Sequence, residues 1–142
     1  MRLSSLADYA IVVMSAAARE QAQLGGGARL SATDISSRTG VPLPTAQKLM
    51  GRLASSGLLE SARGTGGGFA LARDAATITL ADIVEAVEGP IAMTACVEGD
   101  EARHDCALES NCRVRPHWDA VNGAIRDALA GVTLTSLARE TA

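Results

Sequence analysis

Cys96, Cys106 and Cys112, the three cysteines of this 142-residue chain, fall in one stretch, separated by nine and five residues. Thiols in a segment with no sustained helical or strand period pack a core poorly and ligate iron well, so an iron–sulfur cluster is the first expectation. The same stretch holds Glu98, Asp100, Glu101, Asp105 and Glu109 against Arg103 alone. Three thiolates among five carboxylates repel one another without a cation, so the segment should gain order on loading. Zinc competes for these donors, with His104 or His117 as a fourth ligand, although the short paired CxxC knuckles of structural zinc sites are missing. A disulfide switch between Cys106 and Cys112 is a third reading, and three free surface thiols a fourth. Spacing alone does not separate them. An odd count confined to one stretch is not the pattern of a secreted disulfide scaffold.

A second set of residues carries chemistry for DNA. Thr45, Gln47, Lys48 and Arg52 fall on the polar side of a helical pattern whose apolar side is Ala46, Leu49, Met50 and Leu53. Gln47 can pair with a base edge in the major groove, with adenine as its best partner. Lys48 and Arg52 can reach phosphates or guanine, and Thr45 can donate to a phosphate near the helix start. Downstream lies Arg63-Gly64-Thr65-Gly66-Gly67-Gly68. Glycines such as Gly66 and Gly67 let backbone N–H groups approach a sugar–phosphate chain, with Arg63 placed to enter a minor groove. This run lacks the spacing and following helix of a nucleotide-phosphate loop.

The net charge of −3 hides this footprint. Residues 29–73 carry Arg29, Arg38, Lys48, Arg52, Arg63 and Arg73 against Asp34 and Glu60, a local +4, whereas residues 74–142 sum to −7. A basic middle and an acidic tail fit a DNA-reading unit followed by something else.

The elements that must position these residues are also readable. Residues 4–23 form a helix apolar on most sides, through Leu3, Leu6, Ala10, Met14 and Ala17 together with Ile11, Val12 and Val13, which suggests burial partly between subunits. Ser31 caps a helix over residues 33–39 with Asp34 near its first turn, and Gly40 stops it. Pro44 sits in the first turn of a helix running to about Ser56, ended by Gly57. Residues 58–62 and 69–72 read as two short strands around the glycine run. A fourth helix spans residues 80–88, capped by Thr79. The last long helix starts near Pro116, where Trp118, Val121, Ile125, Ala128 and Val132 make a coiled-coil-like seam suited to dimerisation. Residues 134–139 add a terminal turn.

Short helix, tight turn, polar-faced helix and glycine-tipped hairpin together make a winged helix-turn-helix. The expected fold is therefore mainly α: a winged helix-turn-helix over residues 1–78, then a cysteine-bearing loop and a long C-terminal dimerisation helix over residues 79–142. Only Tyr9, Phe69 and Trp118 are aromatic, too few for a single-strand stacking platform. Arg2 and the apolar stretch after it are interrupted by Asp8 and Tyr9, so a signal peptide is not favoured and the cytoplasm is expected. No Ser-His-Asp set, HExxH or phosphate loop supports catalysis.

The segments MRLSSLADYA, LSATDISSRTGVPLPTAQKLMGRLASSGLLES, RGTGGGFALAR, ITLADIVEAVEGPI and VTLTSLA, together with the cysteine stretch, resemble the Rrf2 family of bacterial winged-helix regulators over nearly the whole chain. That family includes the IscR, NsrR and SufR types. The TACVEG and HDCALESNC runs, followed by a helix with Trp118, look most like the regulators of the SUF system for iron–sulfur cluster assembly. The resemblance implies a homodimer on a partly palindromic double-stranded operator, with one cluster per subunit. It implies Gln47 as a base reader, Arg63 as the wing arginine, and Cys96, Cys106 and Cys112 as cluster ligands. Two positions depart from it. The first cysteine gap is longer than in the IscR or NsrR pattern. Arg115 stands where IscR-type members place a histidine ligand, with His117 two residues on. NsrR-type members use an aspartate on the first helix instead, and Asp8 occupies that place, ahead of His117 or His104. Three thiolates with one carboxylate suit a 4Fe-4S cluster better than a 2Fe-2S one. A nitric-oxide or redox sensor of the same architecture, a zinc-stabilised interaction module and a small thiol-redox enzyme are the rival functions.

Overall fold

A computed structural model describes residues 2–64, 66–94, 106–108 and 111–139. Nine elements follow in order: α1 (Ser5–Leu24), α2 (Ala32–Thr39), α3 (Leu43–Ser55), β1 (Leu59–Ala62), β2 (Gly68–Leu71), a 3-10 turn (Ala75–Thr77), α4 (Leu80–Glu88), α5 (Arg115–Ala130) and α6 (Leu134–Ala138).

Local chemistry sets most boundaries. Ser31 and Asp34 form a reciprocal capping box at the start of α2, and Thr79 and Asp82 do the same for α4. The Ser31 backbone and hydroxyl donors hold the Asp34 carboxyl below its usual range. Asp82 is pushed up by burial, but bonds from Thr79 and the Arg73 charge outweigh this and bring it down. Gly40 closes α2 in the left-handed region at φ 80°, donating its N–H to Ser36, so the chain turns into α3 within three residues.

The core gathers around α1. Met14, Ile35, Leu49, Met50, Leu53, Ile78, Ile83 and Leu134 are fully buried. They come from α1, α2, α3, α4, α6 and the approach to α4, so one cluster spans residues on both sides of position 78. The burial of α1 is met by its own chain: α2, α3, α4 and α6 all pack on it, and no second subunit is needed for residues 13–18. Leu3, Tyr9 and Val12 stay exposed.

β1 and β2 pair antiparallel, with Leu59 opposite Leu71 and Ala62 opposite Gly68. Leu30 joins them by a two-way backbone bridge to Phe69, at 2.7 and 2.8 Å, which ties the hairpin to the start of α2. A comparable bridge corrects the reading of the last helix. Leu80 donates to the Val132 carbonyl and Leu134 to the Ile78 carbonyl, both at 2.8 Å. Thr133 is therefore extended chain bridged antiparallel to Thr79, and Val132 lies in the turn between this bridge and the helix end. The helix ends at Ala130, and the seam loses its last member. No helix among the described residues is long and apolar enough to cross a membrane.

Candidate nucleic-acid interface and cysteine segment

α3 presents the DNA candidates. Ala46, Leu49, Met50 and Leu53 face the core at 0–1% exposure, so the helical period turns Gln47, Lys48 and Arg52 to solvent, with Thr45 half-buried at the edge. Pro42 is the N-cap, and no side-chain cap hydrogen bond is made at the start of α3.

The structure divides the basic residues by whether they are already engaged. Arg38 grips both carboxylate oxygens of the buried Glu20, joining α2 to α1. Arg73 pairs with Asp82 at 3.2 Å. Arg52 donates to the Val87 carbonyl at 3.2 Å, so its guanidinium leans on the last turn of α4. Arg29, Lys48 and Arg63 are exposed, and no partner is seen for them among the described residues. The free positive charge is thus narrower than the sequence sum suggested.

Arg63 and Gly64 lie at the exposed tip of the wing, with Gly66 beyond them. Gly67 has a different task from the one the sequence offered. Its N–H is already committed to the Gly64 carbonyl at 2.9 Å. A Cβ there would lie 2.5 Å from the Ala62 carbonyl oxygen and 2.8 Å from that of Gly64. Glycine at 67 lets the loop close on itself, and closure sets where Arg63 projects.

Of the cysteine candidates, Cys96 and His104 lie outside the described residues. Cys106 and Cys112 are half-buried free thiols. His117 is exposed in the first turn of α5, and Asp8 is exposed in the first turn of α1. Among the described residues no group of three metal-ligating side chains is assembled. What the fold does bring together is the start of α1 and the chain leading into the cysteine segment. Arg2, Leu3 and Ser4 line a groove of about 500 Å³ with Val84, Glu88 and residues 89–93, closed by Ile125 and Leu129 of α5. The Ser4 hydroxyl donates to Glu88 across one end of it.

Sequence reasoning missed Asn122. It is the one residue of α5 that is buried, and its Oδ1 accepts the Met93 N–H at 2.9 Å. An isolated amide between Val121 and Ile125 gives no signal in a sequence read alone.

Comparison with known proteins agrees with this layout. The Rrf2 family profile, described as iron-dependent transcriptional regulator, matches residues 3–140. A helix-turn-helix transcriptional regulator of Neisseria meningitidis serogroup A is 38% identical over 137 residues, covering 96% of this chain and 87% of that protein. IscR of Vibrio vulnificus is 31% identical over 137 residues, covering 96% and 77%. Among solved structures, the global cysteine regulator CymR of B. subtilis matches with a TM-score of 0.73 at 25% identity, covering 100% of this chain and 99% of that one. IscR of T. potens matches with a TM-score of 0.68 at 25% identity, covering 96% and 85%. These relatives are regulators and not enzymes. The chain belongs to the Rrf2 family of winged-helix transcriptional regulators.

Proposed function

We propose that this regulator is a cytoplasmic homodimeric repressor whose operator binding depends on an iron–sulfur cluster, and that its targets are genes for cluster assembly. Residues 1–78 read DNA, and residues 79–142 hold the cluster and the second subunit. The observation that carries the DNA side is the partition of α3: its apolar row is fully buried, leaving Gln47 and Lys48 outward beside a wing tipped with Arg63.

On this reading α3 enters the major groove. Gln47 offers its carboxamide to a base edge, preferring adenine, while Thr45 and Lys48 bond the phosphates. Arg52 gives up its bond to the Val87 carbonyl when a phosphate or guanine offers a charged acceptor. The closed turn at Gly67 and the exposed Gly66 hold the wing slim enough for Arg63 to reach a minor groove. Two such units on a partly palindromic operator require a dimer, and α5 is the available surface.

The donor chemistry fits a cluster. Cys106 and Cys112 are unbridged and half-buried, Cys96 supplies the third thiolate, and Asp8 is the fourth ligand. A set of three thiolates and one carboxylate suits 4Fe-4S better than 2Fe-2S. When bound, the cluster supplies a cationic core that gathers the thiolates and a centre that responds to iron supply and oxidants. Cys96, Cys106 and Cys112 would hold it, and its binding free energy would bias the spacing of the two reading heads. A coupling of about 1–3 kcal/mol is ordinary for such linkage.

Anaerobic purification followed by a visible absorption spectrum tests the cluster. The unaltered protein should be brown, and a variant with all three cysteines changed to serine colourless. A colourless native protein carrying stoichiometric zinc would end the proposal. On the DNA side, Arg63→Ala should weaken operator binding and flatten its salt dependence. Unchanged binding would show that the wing does not touch DNA.

A further inference from the structure

α2 has one buried side chain, Ile35. A single apolar anchor fixes where an eight-residue helix sits, but one point of contact does not define its tilt. The second point of attachment is ionic. Glu20, the last buried residue of α1, is 7% exposed. Both its carboxylate oxygens accept from Arg38 in the last turn of α2, one of the bonds at 3.1 Å. Arg38 itself stays half exposed. Arg19 lines the same groove as this pair, but its Nε donates to the Ala138 carbonyl at 3.2 Å. Among the described residues Glu20 is therefore answered by Arg38 alone.

Stability does not account for the pair. Taking a carboxylate out of water costs about as much as the ion pair returns, and well-packed apolar side chains of similar volume commonly do as well or better. What a guanidinium on two carboxylate oxygens adds is direction, because the planar fork is satisfied in one orientation. The chain from Arg38 to the reading helix is also fixed link by link. The Thr39 hydroxyl donates to the Ile35 carbonyl at 2.6 Å and accepts the Val41 N–H at 3.1 Å. Gly40 donates to the Ser36 carbonyl at 3.0 Å, and Val41 is buried. α3 begins at Leu43, so an angle set at Arg38 is carried into the first turns of α3, where Gln47 lies.

We propose that Glu20 is a positioning residue for DNA reading: through Arg38 it sets the tilt of α2 and with it the pose of α3. The inference rests on α3 as the helix that enters the major groove. Hydrogen bonds to base edges need placement to within about 0.5 Å. A lysine such as Lys48 follows a phosphate through larger displacements on its flexible stem. Loss of the pair therefore costs sequence discrimination and spares binding to DNA of any sequence.

Glu20→Met combined with Arg38→Met replaces the pair by apolar side chains of similar length and leaves the net charge unchanged. Anaerobically purified protein is titrated at several salt concentrations against two duplexes. One carries the sequence that the unaltered protein selects from a random pool, and the other is a scrambled duplex of equal length. The double variant should melt at the same temperature as the unaltered protein or higher. It should bind the selected duplex about tenfold or more weakly, the worth of one base contact. Its affinity for the scrambled duplex and both salt slopes should not change. Arg38→Lys keeps the charge and loses the fork, so it should lose discrimination in the same direction at an unchanged salt slope.

Full affinity of the double variant for the selected duplex overturns the proposal. So does an equal loss on both duplexes: with a salt slope shallower by about one it makes Arg38 a phosphate contact, and with a lowered melting temperature it makes the pair a structural tie. If the double variant does not fold, Arg38→Lys decides alone, and full discrimination in it refutes the role of the fork. Gln47→Ala separates this inference from the reading beneath it. Discrimination left intact by Gln47→Ala means that α3 is not the reader, and both fall. Discrimination removed by Gln47→Ala but kept by the pair variants refutes the positioning role alone.

Discussion

α3 and α5 carry nearly the same apolar periodicity and meet different fates. α3 places Ala46, Leu49, Met50 and Leu53 at helical spacing, and none is more than 1% exposed. α5 places Trp118, Val121 and Ile125 at similar spacing, yet Val121 is 42% exposed and the other two are only half-covered. A periodic stripe says that a helix has a face to bury. It does not say what buries it. α3 finds its cover in α1, α2 and α4, whereas α5, among the described elements, packs chiefly on α4 and leaves Val121 open. The α3 side is therefore closed within one chain, and the open stripe of α5 is the surface that the proposed dimer would cover.

The largest expected effect tests that difference directly. Leu53→Ala removes a fully buried side chain and should cost about 2–5 kcal/mol in urea unfolding. Val121→Ala should change the stability of dilute, monomeric protein by less than about 0.5 kcal/mol, while making self-association weaker by sedimentation. Equal losses in dilute protein would show that α5 is as completely covered within the chain as α3.

A second comparison lies between the wing and the helix beside it. Gly67→Ala drives a Cβ to 2.5 Å from the Ala62 carbonyl oxygen. Strain of this kind costs about 1–3 kcal/mol. The turn can shed it by opening, which displaces Arg63. Operator affinity should fall about 10-fold or more, with little change in thermal unfolding of the helices. A full loss of fold in place of affinity would mean that the hairpin is part of the core, through the Leu30–Phe69 bridge, and not an appendage.

Sequence reading works where the determinants are local. Ser31 with Asp34, Thr79 with Asp82, Gly40 and Pro44 each act within one helical turn, and their helices begin and end within two residues of expectation. It fails where distant residues meet. The end of α5 depends on residues 78–80 pairing with residues 132–134. The occupation of Arg38 by Glu20, and of Arg52 by Val87, depends on how helices cross. Charge counting saw six cations, but the fold commits three of them. For the site, the exposure of Gln47 and Lys48 was legible from periodicity. Asn122 was not, because its meaning comes from a bond to a residue 29 positions away.

The smallest expected effect returns to the two helices through a residue they share. Gly51 in α3 and Gly123 in α5 both sit mid-helix, and a Cβ at either would meet nothing within 4 Å. A helix-interior glycine costs about 0.5–1 kcal/mol relative to alanine, and no contact among the described residues explains the choice. Both are exposed, Gly51 beside Lys48 and Arg52, Gly123 beside Asn122. Each alanine variant should raise thermal stability by roughly that amount. If Gly51 lets DNA approach the α3 backbone, Gly51→Ala will be more stable and bind operator less tightly. If Gly123 lets a second copy approach α5, Gly123→Ala will be more stable as monomer and associate more weakly. Stabilisation without a binding penalty at either position would remove that helix face from the contact, and the pair of measurements sorts the two surfaces independently.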